Sequence, residues 1–219
     1  MPVMGLWVVA IAVSAVIGYF LGSINFAILV STKLFREDVR QKGSGNAGMT
    51  NVLRNYGKLG AVLTLLGDVG KGILAVWCGN WITMWLLPQG TDWLYCAYIA
   101  GICAIVGHMF PVFFKFKGGK GVSVAGGVIL ALQPLLALIL VSIFLLIVVV
   151  TRMVSLGSVV GISLYPVVAL IWALITHRPV VFCTVFSAIV AGLVVFMHRA
   201  NIKRIINKTE YKFGEKKKT

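Results

Sequence analysis

Three polar segments interrupt an otherwise apolar chain, and their residue types suit the handling of phosphate. The first is Gly43-Ser44-Gly45-Asn46-Ala47-Gly48-Met49-Thr50-Asn51, followed by Arg54. Its glycines let backbone N–H groups turn toward an anion. Ser44, Asn46, Thr50 and Asn51 add short neutral hydrogen-bonding groups, and Arg54 adds a planar fork that matches phosphate. The run also fits GxGxxG. A dinucleotide site, however, needs a strand before it and a helix after it, and here an apolar helix and a basic linker come first. The second segment is Gly107-His108-Met109-Phe110-Pro111, then Phe113-Phe114-Lys115-Phe116-Lys117-Gly118-Gly119-Lys120-Gly121. It lacks the GxxxxGK[ST] spacing, but it puts Gly-Gly-Lys-Gly at a helix start. Free N–H groups, glycine access and a lysine together favour a phosphate there. The third is His198-Arg199-Ala200-Asn201-Ile202-Lys203-Arg204, with Glu210 further on. On a helix, His198, Asn201 and Ile202 share one face.

Each segment also has a plainer reading: a polar loop ending in a helix cap, a basic aromatic interfacial loop, and a solvated basic tail. A shorter cluster, Arg152-Met153-Val154-Ser155-Leu156-Gly157-Ser158, reads either as part of the same face or as a connector. Asp68 and Lys71 stand three residues apart inside an apolar run. Charges there are expensive, so they read as a structural ion pair or as direct participants in chemistry.

The elements that must position these groups are membrane helices. Of 219 residues, 59% are hydrophobic and 12% charged, and the mean hydropathy is +0.97. Soluble domains carry about 25% charged residues, so a soluble enzyme, a disordered tail and a collagen-like repeat are excluded. Apolar stretches cover about 4–30, 59–87, 93–112, 122–150, 154–176 and 180–197. Each is long enough for a hydrocarbon core that takes about 20 helical residues. The run 122–150 carries Gln133-Pro134, and proline inside a helix removes a donor and clashes with the preceding turn. Splitting it into about 121–132 and 134–151 gives an all-α polytopic membrane protein with seven transmembrane helices, the N-terminus outside and the C-terminus cytoplasmic. All Lys and Arg then lie on the inner side except Arg178, outside, and Lys71, within a span. That asymmetry is the positive-inside pattern. The formal net charge of +14 suits membrane lipids and phosphorylated substrates as partners. Cys78, Cys96, Cys103 and Cys183 lie in apolar runs without CxxC or a nearby His cluster, so they read as packing residues and no metal site is expected. No Lys or Arg precedes Lys33, so the first helix reads as retained rather than as a signal peptide.

GSGNAGMTNVLR, GHMFPVFFKFKGGKGV and HRANIKR…E together resemble the signature segments of bacterial acyl-phosphate:glycerol-3-phosphate acyltransferases, the PlsY family. The resemblance runs over almost the whole chain, including LLGDVGKG and RMVSLGS. Met49 stands where that family often has a smaller residue, and Lys208 where glycine is expected. The resemblance implies one integral-membrane acyltransferase domain over 1–219, with cytoplasmic active-site segments at about 43–54, 107–121, 152–158 and 198–210. It implies transfer of a fatty acyl group from acyl-phosphate to the 1-hydroxyl of sn-glycerol 3-phosphate in the bacterial inner membrane. The products are lysophosphatidic acid and phosphate, the first acylation step of phospholipid biosynthesis. Ser44, Arg54, Lys120, His198 and Asn201 would then be catalytic. Gly43, Asn46, Thr50, Asn51, Gly118, Gly119, Gly121 and Ser155 would bind the substrate phosphates. Either His198 or a substrate phosphate would take the hydroxyl proton. No cofactor, no acyl carrier protein and no nucleic acid is implied.

The residues themselves agree with that chemistry in one negative respect. An HxxxxD acyltransferase pair would need an acid at Phe113, Phe182 or Lys203, and none is acidic. An acyl-phosphate is already activated and needs no enzyme nucleophile, so positioning and charge neutralisation suffice. The competing reading is a membrane transporter for phosphate or another anion. That reading calls for polar groups at mid-membrane and repeated halves, whereas here the polar groups gather on one face.

Overall fold

The computed structural model describes residues 3–88, 90 and 94–214. Thr91, Thr219 and the tail lysines Lys216, Lys217 and Lys218 lie outside the described residues. Among the described residues there are α-helices and two short 3-10 turns and no strand. Six helical stretches are long and apolar enough to cross a membrane: Met4–Phe35, Met49–Leu86, Leu94–Phe114, Pro134–Thr151, Val154–Ile175 and Val180–Met197. Val122–Leu132 is equally apolar but shorter. Large side chains such as Leu66, Trp85, Val149 and Ile175 are exposed, as expected where the surrounding medium is hydrocarbon.

The chain divides into two compact units, Met1–Leu132 and Gln133–Thr219. The boundary falls at Gln133-Pro134. There α5 (Val122–Leu132) ends and α6 (Pro134–Thr151) begins with proline in its first turn, where the missing N–H costs nothing.

The first unit holds α1 (Val3–Ser23), α2 (Phe26–Phe35), α3 (Met49–Leu86), α4 (Leu94–Met109) and α5. Helix α1 packs on α4 and α3, and α3 packs on α5. The contacts are backbone-close: Gly18 and Gly22 lie on Ala100 and Ala104, and Gly72 lies on Val124. Without a hydrophobic force between helices in lipid, such small residues let dispersion and polar contacts hold them together.

Two boundaries differ from the sequence expectation. The first span is broken at Ile24-Asn25, because the Asn25 carboxamide accepts from Ile28 N at 3.1 Å and starts α2 instead. Helix α3 begins at Met49 and not near 59, bending at Gly57, whose φ is 82°. Thr50, Asn51 and Arg54 therefore sit on a helix rather than in the loop before it.

The second unit holds α6, α7 (Val154–Ile175), α8 (Val180–Met197) and the short α9 (Arg199–Ile206). Helix α7 packs on both α6 and α8. The buried Tyr165 hydroxyl donates to Gln133 Oε1 at 3.0 Å, and its ring meets Phe186 edge-on at 6.4 Å.

Candidate active site

In the first unit the chain between α2 and α3 coils around one carboxamide. Asn51 is 2% exposed, and its Nδ2 reaches the carbonyls of Val39 (3.0 Å), Lys42 (3.0 Å) and Asn46 (3.1 Å). Its Oδ1 accepts from Ser44 N at 3.1 Å and Asn55 Nδ2 at 3.0 Å. The side chain thus shapes the loop from within. Around it Ser44 is exposed, Asn46 and Thr50 are half-buried, and Gly43 turns with a φ of 61° directly against Asn51. Arg54 follows on the exposed face of the first turns of α3.

The second glycine segment folds back on the end of α4. Gly118 N donates to Met109 O at 3.2 Å and Gly119 N to His108 O at 3.1 Å. A methyl group on Gly119 would lie against the His108 ring and 2.6 Å from the Ala47 carbonyl, so only glycine fits this close approach. Gly121, with a φ of 84°, turns the chain into α5, and its carbonyl accepts from Ala125 N at 2.8 Å. Lys120 lies half-buried between those two glycines, at the N-terminus of α5.

One guanidinium ties the two segments together. Arg40 forms a forked pair with Asp38, with contacts of 3.0, 3.1 and 2.7 Å. Its Nη1 donates to Phe114 O at 2.9 Å and Lys117 O at 3.3 Å. The Arg40 hydrogen bonds hold the Asp38 carboxyl below the ordinary carboxylate range, against the opposing effect of partial burial. Asn25 adds a contact from Nδ2 to Ala47 O at 3.4 Å. In the sequence Arg40 was one basic residue of a linker, and nothing in its spacing pointed to a partner 74 positions away.

In the second unit an acid gathers two of the other expected residues. Glu210 is 8% exposed, and its Oε1 accepts from Ser155 Oγ at 2.8 Å and Asn201 Nδ2 at 2.7 Å. Its Oε2 pairs with Arg204 Nε at 2.7 Å. Burial pushes this carboxyl up, but the hydrogen bonds from Ser155, Asn201 and Arg204 outweigh that and hold it below its ordinary value. His198 is buried at the junction of α8 and α9, with Nδ1 2.8 Å from Val194 O. A carbonyl only accepts, so Nδ1 carries a proton. Lys208 has a φ of 57°, which gives a physical reason for the glycine expected there: the turn that returns Glu210 needs the left-handed region.

Comparison with known proteins gives a consistent result. A family model described as glycerol-3-phosphate acyltransferase matches residues 12–208. A glycerol-3-phosphate acyltransferase of Clostridioides difficile (strain 630) is 40% identical over 203 residues, covering 93% of this chain and 95% of that protein. One from Ralstonia pickettii (strain 12J) is 42% identical over 212 residues, covering 96% and 98%. The crystal structure of PlsY, an integral membrane glycerol 3-phosphate acyltransferase, in its glycerol 3-phosphate form is similar, with a TM-score of 0.78 and 33% identity over 93% of this chain and 95% of that one. Its lysophosphatidic acid form gives a TM-score of 0.76 at 32% identity.

Proposed function

The chain belongs to the glycerol-3-phosphate acyltransferase family, and from that premise we propose that it transfers a fatty acyl group from acyl-phosphate to the 1-hydroxyl of sn-glycerol 3-phosphate. The observation that carries the reading is the bracing of two basic glycine segments by Arg40. A reaction between two phosphorylated molecules needs two anion positions at fixed separation, and the first unit offers a pair.

Gly118, Gly119 and Gly121 cradle the acyl-phosphate headgroup with Lys120 as counter-charge. Ser44, Asn46, Thr50 and Arg54 serve the other phosphate, with Gly43 giving the turn and Asn51 shaping the loop. Ser155, His198 and Asn201 bind phosphate and orient the hydroxyl. Glu210 accepts the Ser155 O–H and one Asn201 N–H, so Ser155 offers its oxygen to the substrate hydroxyl and Asn201 its second N–H to phosphate. The 1-hydroxyl oxygen attacks the acyl carbonyl, a C–O ester bond forms, and the C–O bond to phosphate breaks with its electron pair going to phosphate. The hydroxyl proton leaves to a phosphate oxygen, so the products are lysophosphatidic acid and inorganic phosphate. The enzyme's share is positioning and electrostatic stabilisation of the transition state. The whole chain acts as one acyltransferase domain in the bacterial inner membrane, with its polar segments on the cytoplasmic side.

The donor is tested directly. Purified protein should release phosphate from acyl-phosphate only when glycerol 3-phosphate is present. It should not turn over purified acyl-CoA, nor require acyl carrier protein. Equal rates with acyl-CoA free of acyl-phosphate would overturn the donor assignment.

Orientation is tested separately. We assign seven crossings, with α5 as a short one, the N-terminus outside and the C-terminus inside. In a background lacking the native cysteines, Thr91→Cys and Thr219→Cys should label from opposite sides of the membrane. Labelling of both from one side would contradict the assignment.

A further inference from the structure

One buried cation in the first unit is not among the phosphate-facing residues. Lys71, 4% exposed in α3, sits among four acceptors. Its Nζ lies 3.0 Å from Gly22 O, 2.6 Å from Ile24 O, 3.0 Å from His108 Nδ1 and 2.9 Å from Asp68 Oδ1. An ammonium has only three protons. The Asp68 contact is a charge pairing, since that oxygen receives no aligned hydrogen bond. The three protons therefore go to Gly22 O, Ile24 O and His108 Nδ1. With Lys71 as the donor, His108 Nδ1 accepts and the ring proton sits on Nε2; the same Nδ1 lies 3.5 Å from Asp68 Oδ1. The Nε2 nitrogen faces the backbone of Gly119, where the second glycine segment passes the Ala47 carbonyl of the first.

Two short paths lead outward from this ammonium. One runs through Gly22 and Ile24, the unpaired end of α1, to Asn25, which caps α2 and reaches Ala47 O in the first glycine segment. The other runs through His108, whose carbonyl accepts from Gly119 N and whose ring packs on Gly119 in the second. We propose that Lys71, with Asp68 as counter-ion and His108 as its arm, is a positioning residue that sets the spacing of the two glycine segments and so the affinity for both phosphorylated substrates. This rests on reading those segments as the two phosphate subsites.

The test uses the full chain purified in detergent. Lys71→Met keeps the stem and deletes the donors. It should raise KM for acyl-phosphate and for glycerol 3-phosphate about 10-fold or more, and weaken calorimetric binding of glycerol 3-phosphate alone by a similar factor. A purely structural role would lower the active fraction, and with it kcat, at unchanged KM. His108→Phe, which keeps a ring without nitrogens, should raise chiefly the KM for acyl-phosphate. His108→Gln, which returns an N–H near Nε2, should recover part of it. KM values within 2-fold of the parent in folded Lys71→Met overturn the proposal. Should Lys71→Met not fold, the same result in His108→Phe overturns it. If the unmodified protein fails to use acyl-phosphate, the donor assignment is what fails, and glycerol 3-phosphate binding by the variants still decides the role of Lys71.

Discussion

Arg54→Ala and Lys120→Ala are each expected to lose about 10- to 150-fold in activity while the protein still inserts and folds. Both side chains sit at helix starts with some exposure, Arg54 on the first turns of α3 and Lys120 just before α5. Neither position lies among the buried residues. Under the proposed reaction each faces a phosphate in a partly desolvated site, where a hydrogen bond to a charged group is worth about 1.5–3 kcal/mol. At about 1.4 kcal/mol per decade, that gives the stated range. Arg54→Lys separates charge from geometry, because lysine keeps the charge but not the fork. It should recover only part of the loss. Lys217→Ala, outside the described residues, serves as the control and should lose little. Initial rates against both substrates, with thermal unfolding as a folding check, decide the matter. Near-native rates for both alanine variants at low substrate would remove the two-loop phosphate site even if the reaction class stands.

Glu210→Ala is expected to damage the second unit more broadly than any single phosphate ligand. It strands the buried Ser155 hydroxyl and Asn201 carboxamide together with the Arg204 guanidinium. Each unsatisfied buried group costs about 1–3 kcal/mol, with Arg204 contributing less because it is partly solvated. A loss of roughly 3 kcal/mol, and activity falling with it, is the expected outcome in thermal unfolding and rate assays. Glu210→Gln keeps one acceptor oxygen and should lose less. Acid should reproduce the effect in the parent protein. The folded carboxyl titrates below its ordinary value, so its stabilisation is complete above the unfolded value of about 4.3. That stabilisation is lost as pH falls through the lower folded value. In Glu210→Gln this acid-dependent part should vanish. An unchanged stability profile below pH 4.3 would show that Glu210 does not carry it.

Composition and local chemistry made the helical architecture legible, down to the break at Gln133-Pro134, because apolar length marks a span and the run there is long for a single one. Proline alone does not decide, since Pro166 sits within α7. The break at Asn25 was missed: a single carboxamide inside an apolar run carries no periodic signal, and only the geometry shows that it caps. The start of α3 at Met49 was missed for the opposite reason, since its first turns are polar and read as loop. Within the site, the three signature segments could be found by residue type, but the residues that brace them could not. Asp68 and Lys71 were visible as a pair by spacing, and the structure makes them an ion pair. That His108 completes the group depends on the packing of α3 and α4. Asn51 and Asn201 were expected to face phosphate. The structure gives their carboxamides loop carbonyls and a carboxylate as neighbours, which composition cannot foretell.

The buried ammonium also bears on how the chain is made. A lone lysine or aspartate within a span opposes insertion, by up to about 2.5–3.5 kcal/mol at the helix centre and by less toward its end. Asp68 and Lys71 leave the ribosome only three residues apart and can offset one another at once. The carbonyls of Gly22 and Ile24 lie 49 and 47 positions upstream, so they already exist when Lys71 is synthesised. His108 arrives 37 positions later, bringing the last acceptor. Biogenesis of this half therefore has a built-in order. The membrane-embedded charge is sheltered first by finished backbone, and the second glycine segment can settle against its ring only after α4 has followed α3 into the bilayer.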